Sequence, residues 1–191
     1  MKITGNEDLR VQKTINGIYS SFESLICEKD YEKITVKELA ERAQINKKTF
    51  YRYYPTLDDL LAEMQARYSQ DYLAVVGNFI YPRDLAKSVR SFIEYSASQS
   101  EAYEKITCSG TYVGIRQQMI DQVMKHTWSN SPEFNKLSSL QQHILMTFIQ
   151  NTGLEVYKQW VASGKEAPIE EVVQSAVTLI SSVDNFLKLS K

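Results

Sequence analysis

Residues 35–54 read Thr-Val-Lys-Glu-Leu-Ala-Glu-Arg-Ala-Gln-Ile-Asn-Lys-Lys-Thr-Phe-Tyr-Arg-Tyr-Tyr. Two short helices and a tight turn fit into this stretch. Thr35 stands three positions before Glu38, the spacing of a capping box, so a helix is expected from Val36. Val36, Leu39, Ala40 and Ala43 fall at i, i+3, i+4 and i+7, a narrow inward stripe. Alanine at 40 and 43 lets another helix come close. Asn46 is a good N-cap for a helix that starts at Lys47. Only Gln44, Ile45 and that cap separate the two segments, which imposes the tight crossing of a helix-turn-helix.

The second helix has an unusual composition. Phe50 is expected to point inward, supported by Ile45, while Lys47, Lys48, Thr49, Tyr51, Arg52 and Tyr53 leave a face of cations, hydroxyls and phenols. From Arg42 to Tyr54 there are four basic residues (Arg42, Lys47, Lys48 and Arg52) and no acidic one. Phosphate oxygens accept hydrogen bonds from such groups. Most basic stripes are only solvated faces. The tight helix pair and the interleaved aromatics are what turn this one into a nucleic-acid footprint.

The stretch from Thr35 to Tyr54, continuing through Leu60 and Leu61, resembles the DNA-binding segment of the TetR family of bacterial transcriptional regulators. The family pattern is matched at Thr35, Val36, Leu39, Ala40, Ala43, Ile45, Thr49, Phe50, Tyr51, Tyr53 and Tyr54. The chain departs from it at Gln44, where the family usually has glycine, at Asn46 in place of serine, and at Leu57, where a lysine often opens the next helix. Gln44 has to take the turn without glycine's freedom, at a cost of about 1 kcal/mol if the backbone there is left-handed. Leu57 removes a phosphate contact, so affinity leans on Lys47, Lys48 and Arg52. The resemblance implies that Thr35, Lys37, Asn46, Lys47, Lys48, Thr49, Tyr51, Arg52 and Tyr53 meet DNA. Thr35, Lys47, Thr49 and Tyr53 are expected mainly at phosphates, and Lys37, Lys48 and Tyr51 at base edges.

The whole chain fits this setting. Its 191 residues suffice for one large or two small domains, and 43% hydrophobic with 24% charged residues is ordinary for a globular protein. A net charge of -1 means that any attraction to DNA comes from local segregation of charge, unlike a generic nucleic-acid coat protein. The two cysteines, Cys27 and Cys108, suggest neither a disulfide framework nor a zinc cluster, and fit a reducing cytoplasm. The N-terminus carries no apolar signal segment, and no run approaches the roughly 18 apolar residues of a membrane span. A cytoplasmic protein without membrane contact is expected.

Helical periodicity runs almost throughout. A first helix over about 8 to 28 carries Val11, Ile15, Ile18, Phe22 and Leu25. After Pro55, Thr56 and Asp59 cap a helix expected to reach about residue 80. Further helices are expected at about 83 to 98, 100 to 107 and 111 to 128. Ser131-Pro132 is a start signal for a stretch through Leu137, Leu140, Ile144, Phe148, Thr152, Val156 and Trp160, ending before Gly164. Pro168 opens a last helix from Ile169 to Leu187. The fold class is all-α, with residues 1–54 as a three-helix helix-turn-helix domain and 55–191 as a helical regulatory and dimerisation domain.

The last two helices have apolar faces wide enough to pack inward and against a second copy. Leu145, Phe148, Ile149, Thr152, Val172, Ala176, Ile180 and Val183 are the candidate dimer contacts. The middle helices are rich in tyrosine and other large side chains, of which ordinary core packing explains most. As a set, Tyr68, Tyr72, Phe92, Tyr95, Tyr112 and Met119 suit a cavity for a mostly apolar small molecule. The resemblance implies such an effector pocket, its ligand unspecified, and a homodimer that binds a palindromic double-stranded operator as a repressor. A rival reading is a DNA-binding protein with an architectural or cell-division role, controlled by a protein partner. No enzyme is expected, and neither a metal nor a cofactor. His126 and His143 lack metal-ligand spacing, Cys108 reads as a structural thiol, and Ser109-Gly110 lacks the setting of a nucleophile elbow.

Overall fold

A computed structural model of the chain describes residues 9–76, 79–108 and 128–188, and every regular element among them is helical. In chain order these are α1 (Leu9–Glu28), a 3-10 turn (Tyr31–Lys33), α2 (Val36–Arg42), α3 (Lys47–Tyr53), α4 (Leu57–Val76), α5 (Leu85–Ala97), α6 (Glu101–Cys108), α7 (Pro132–Asn135), α8 (Ser139–Ala162), α9 (Ile169–Ile180) and α10 (Val183–Lys188). They form two compact units, residues 1–68 with 100–113 and residues 69–99 with 114–191. No described helix is long and apolar enough to cross a membrane.

In the first unit, the expected stripe of α1 is the core: Ile15, Ile18, Tyr19, Phe22, Leu25 and Ile26 are buried. Leu39 and Ala40 of α2, Phe50 of α3, Tyr54, and Leu60, Leu61 and Met64 of α4 close over them. Ala102 and Ile106 of α6 belong to the same core, and Gln65 of α4 donates to the Ile106 carbonyl at 2.8 Å. The expected caps form. The Thr35 hydroxyl accepts from the Glu38 amide, and Thr56 and Asp59 exchange side chain-to-backbone bonds at the start of α4. Glu38's carboxylate meets Lys29 Nζ at 2.6 Å, tying α2 to the end of α1.

A polar node lies where α1, the end of α3 and α4 meet. Tyr19 donates to Glu63 Oε1 at 2.5 Å, and Tyr54 donates to the same oxygen at 3.2 Å. The two phenol oxygens are 3.4 Å apart. Burial and the bond to Glu63 push the Tyr19 phenol up to about 12, and burial raises Tyr54 as well. Both therefore stay protonated donors at neutral pH.

The second unit has its own core. Leu85, Val89 and Ile93 of α5, Trp128, Phe134 of α7, Leu145, Met146 and Ile149 of α8, and Val172, Val173, Ala176 and Ile180 of α9 are buried together. Arg90 of α5 grips both carboxylate oxygens of Glu170 at the start of α9, each at 2.9 Å. Ser138 and Gln141 complete a capping box on α8. Its far end closes with Gly164 at φ 75° and Lys165 at φ 59°, where Trp160 Nε1 donates to the Ala167 carbonyl at 2.9 Å.

Some expected boundaries are corrected. The start signal at Ser131-Pro132 opens only the short α7, and α8 has its own cap at Ser138. The last expected helix is two, α9 and α10, broken at Ser181 and Ser182. Their hydroxyls donate to the carbonyls of Thr178 and Leu179, offering the backbone groups there a side-chain partner at the point where the helix stops. The helix expected over 111 to 128 lies outside the described residues, Trp128 excepted.

Candidate nucleic-acid interface

The turn between α2 and α3 is built as the sequence requires. Gln44 adopts φ 54°, the left-handed region, and the Ile45 amide reaches back to the Ala40 carbonyl at 2.9 Å. Asn46 then caps α3, its Oδ1 accepting from the Thr49 amide at 2.7 Å and from the Thr49 hydroxyl at 3.0 Å. Phe50 is fully buried and anchors α3 to the core. A helix two turns long with one anchored residue must show its other faces to solvent.

Lys47, Lys48, Tyr51 and Arg52 are on those faces and exposed. No described carboxylate pairs with Lys47, Lys48 or Arg52, so their charge is available to an outside anion. Tyr51, 52% exposed, rests its ring edge-on against Phe50 with centroids 5.6 Å apart, so its hydroxyl projects from a braced position. Thr35 stays exposed, its oxygen accepting from Glu38 while its hydroxyl proton remains available. Lys37, also exposed, lies 3.9 Å from Glu41. Tyr53 is half-buried against the core.

Two positions differ from the simplest picture of an even cationic face. Arg42, one of the four basic residues of the segment, is held by Glu28 through its two terminal guanidinium nitrogens and also donates to Ser24 at 2.8 Å. The hydrogen bond from Arg42 holds the Glu28 carboxyl below its usual range. The cationic face therefore narrows to α3. Thr49, expected at a phosphate, directs its hydroxyl proton to Asn46, and Asn46 keeps only its amide nitrogen for an outward contact. Neither engagement is visible locally. Glu28 lies fourteen positions before Arg42, and whether a capping oxygen also takes the Thr49 proton depends on rotamers.

The family model described as bacterial regulatory proteins, tetR family, matches residues 18–64, from the middle of α1 to Met64 of α4. The helix-turn-helix is thus similar to the TetR-family segment. The TetR-like fold extends over most of the chain. A TetR transcriptional regulator from Streptococcus agalactiae 2603V, 20% identical, aligns over 90% of this chain and 95% of its own with a TM-score of 0.60. NalD, the secondary repressor of the MexAB-OprM multidrug efflux pump in Pseudomonas aeruginosa, is 13% identical and aligns over 88% and 96% at 0.62. The dihydroxyacetone kinase operon activator DhaS is 15% identical and aligns over 88% and 94% at 0.51. At these identities the likeness is one of fold. No curated protein matches the chain.

The other candidate residues of this TetR-like chain separate into groups. Tyr72 meets Phe92 edge-on at 5.5 Å and Tyr95 at 5.4 Å, and its hydroxyl donates to the Ser88 carbonyl at 3.0 Å. Phe92 packs over Gly153 of α8, where a Cβ would stand 3.4 Å from its ring. Tyr68 is not in this cluster. It lies in the first unit, meets the Tyr103 ring at a tilt with centroids 5.0 Å apart, and donates to Glu23 at 2.8 Å. Tyr112 and Met119 lie outside the described residues. Of the dimer candidates, Leu145, Ile149, Val172, Ala176, Ile180 and Val183 are buried in the core of their own unit. A side chain already buried has no area to offer a second copy. Phe148 and Thr152 remain accessible, and the apolar residues that join them at the surface are Leu140, Ile144 and Leu179. Ile144, Thr147, Phe148, Asn151 and Thr152 line an open groove along α8.

Proposed function

We propose that this protein is a DNA-binding transcriptional repressor that acts as a homodimer on a palindromic operator and is released by a small-molecule effector. The observation that carries the reading is α3 itself: Lys47, Lys48, Tyr51 and Arg52 stand exposed on one short helix, without acidic partners among the described residues, behind a turn and caps that fix its direction. Residues 1–54 are the reader, and 55–191 the regulatory and dimerisation part. Lys47 and Thr35 meet phosphates, Lys48 and Tyr51 base edges, and Asn46 donates through its amide nitrogen.

Dimerisation is read onto the outward faces of α8 and α9, where Leu140, Ile144, Phe148 and Leu179 expose apolar surface. The effector is assigned to the Tyr72, Phe92 and Tyr95 cluster. It is coupled to the reader through α4, which carries both Glu63 and Tyr72 on one continuous helix. Selection of duplexes from a random pool tests the reading directly. A palindrome with half-sites about one helical turn apart is expected, and recovery of no preferred sequence would overturn it. For a coupling of about 1 to 3 kcal/mol, effector and operator should each weaken the other's binding by the same factor, roughly 5- to 150-fold.

A further inference from the structure

The phenol of Tyr54 is 1% exposed, yet its backbone is the C-cap of the exposed α3, its amide bonded to the Phe50 carbonyl at 3.0 Å. The end of α3 is therefore anchored by a side chain whose one polar atom has to find an acceptor inside the core. It finds Glu63 Oε1, on the second turn of α4, and Tyr19 of α1 reaches the same oxygen. One turn further along α4, Arg67 places its guanidinium 5.0 Å above the centre of the Tyr19 ring. The apolar contacts around this node are non-directional and tolerate a helix that slides or turns. Hydrogen bonds do not, since they weaken steeply with angle.

We infer that Glu63 is a positioning residue for DNA recognition, its carboxylate oxygen clasping Tyr54 and Tyr19 so that α3 is held in one orientation against α1 and α4. The inference rests on the reading of α3 as the DNA reader and adds to it the residue that sets its direction. The role follows from geometry. Glu63 lies in the interior of α4 and accepts a hydrogen bond from Tyr54, the C-cap of the reading helix. Rotation of α4 about its axis carries Glu63 and Arg67 together, so both contacts to Tyr19 change in the same movement. The clasp needs an acceptor in the right place and not a charge, because both partners are neutral donors.

The test uses the full-length protein, the duplex it selects from a random pool, and a random-sequence duplex of equal length. Glu63→Leu removes the acceptor. It should lower the ratio of operator to random-sequence affinity by about tenfold or more, while random-sequence affinity, which depends on Lys47, Lys48 and Arg52, changes less than about threefold. Glu63→Gln keeps an acceptor oxygen and should remain within about threefold of wild type on both duplexes. Tyr54→Phe removes one hydroxyl only. It should give a smaller loss of the same kind, and no added loss in a Glu63→Leu background, as expected of residues acting through one contact. Tyr54→Phe also carries the test should Glu63→Leu fail to fold. An unchanged ratio in Glu63→Leu and Tyr54→Phe would overturn the clasp, as would equal losses in Glu63→Gln and Glu63→Leu. A parallel fall on both duplexes would assign Glu63 to stability alone and also overturn it. If the wild-type protein selects no duplex, the regulator reading itself falls, and the clasp with it.

Discussion

Arg42 and Glu28 form a two-pronged ion pair across the contact of α1 and α2, Nη2 to Oε2 at 2.8 Å and Nη1 to Oε1 beside it. The pair removes the last cation of α2 from the set that can meet phosphates. Counting charges along the segment would include it. Arg42→Gln is expected to leave the salt dependence of operator binding unchanged, whereas Lys47→Ala and Arg52→Ala should each flatten the slope of log K against log salt by about one. Fluorescence anisotropy with a labelled operator over a salt series reads the difference directly.

Gln44 offers a gain in stability. At φ 54° it holds a conformation that costs a residue with a Cβ about 1 to 2 kcal/mol and glycine almost nothing. Glycine's greater freedom in the unfolded chain offsets part of this. Gln44→Gly should stabilise the protein by roughly 0.5 to 1 kcal/mol, and Gln44→Val should destabilise it, since branching at Cβ tolerates a positive φ poorly. Urea unfolding at constant pH distinguishes the two, with the denaturant slope unchanged.

Exposure decides how charges on α8 and α9 will act. Ile180 is 1% exposed and Phe148 40%. Phe148→Glu and Ile144→Glu should leave the protomer folded and shift sedimentation toward the 22.0 kDa monomer. Ile180→Glu should instead unfold the second unit, because an unpaired carboxylate in that core costs several kcal/mol. Circular dichroism and sedimentation velocity on the same samples separate the outcomes. A wild-type monomer at micromolar concentration would remove the paired-reader arrangement.

Alkaline pH probes the tyrosine node. The Tyr19 phenol is raised to about 12 by burial and by its bond to Glu63, against 10.0 for an unperturbed tyrosine. A raised folded-state value for a phenol favours the neutral form. The stabilisation is therefore complete below pH 10 and is lost as pH rises through about 12. Unfolding free energy should fall between these limits in the wild-type protein. Tyr19→Phe, which cannot ionise, should show a shallower decline once the remaining tyrosines are accounted for.

What was legible in the sequence was what is settled within a turn or two of helix. Thr35, Asn46, Thr56 and Ser131 cap helices as their spacing says, and the stripe from Ile15 to Ile26 is buried. The contacts of Arg42 with Glu28, of Gln65 with Ile106 and of Tyr54 with Glu63 depend on how helices pack, and no local pattern encodes them. The wide apolar faces of the last helices posed a different difficulty. Periodicity shows that α8 and α9 are amphipathic on a broad arc, but not which half of the arc meets its own core. Leu145 and Ile180 point inward and Ile144 and Leu179 outward, one residue apart in each case. The serines at 181 and 182 were a local signal for the break that the apolar pattern concealed.

The core of the first unit is finished by chain that arrives late. Ala102 and Ile106 of α6 seal a surface made by α1 and α4, and Lys105 Nζ reaches the Cys27 carbonyl at 3.3 Å. During synthesis on the ribosome, α1 to α4 are made before α6. Until then their apolar underside stays open to solvent and to chaperones. A truncated transcript ending after α4 would yield a reader with an exposed hydrophobic patch, prone to aggregation and proteolysis. A fragment ending after α4 would thus carry α3 on an unfinished core.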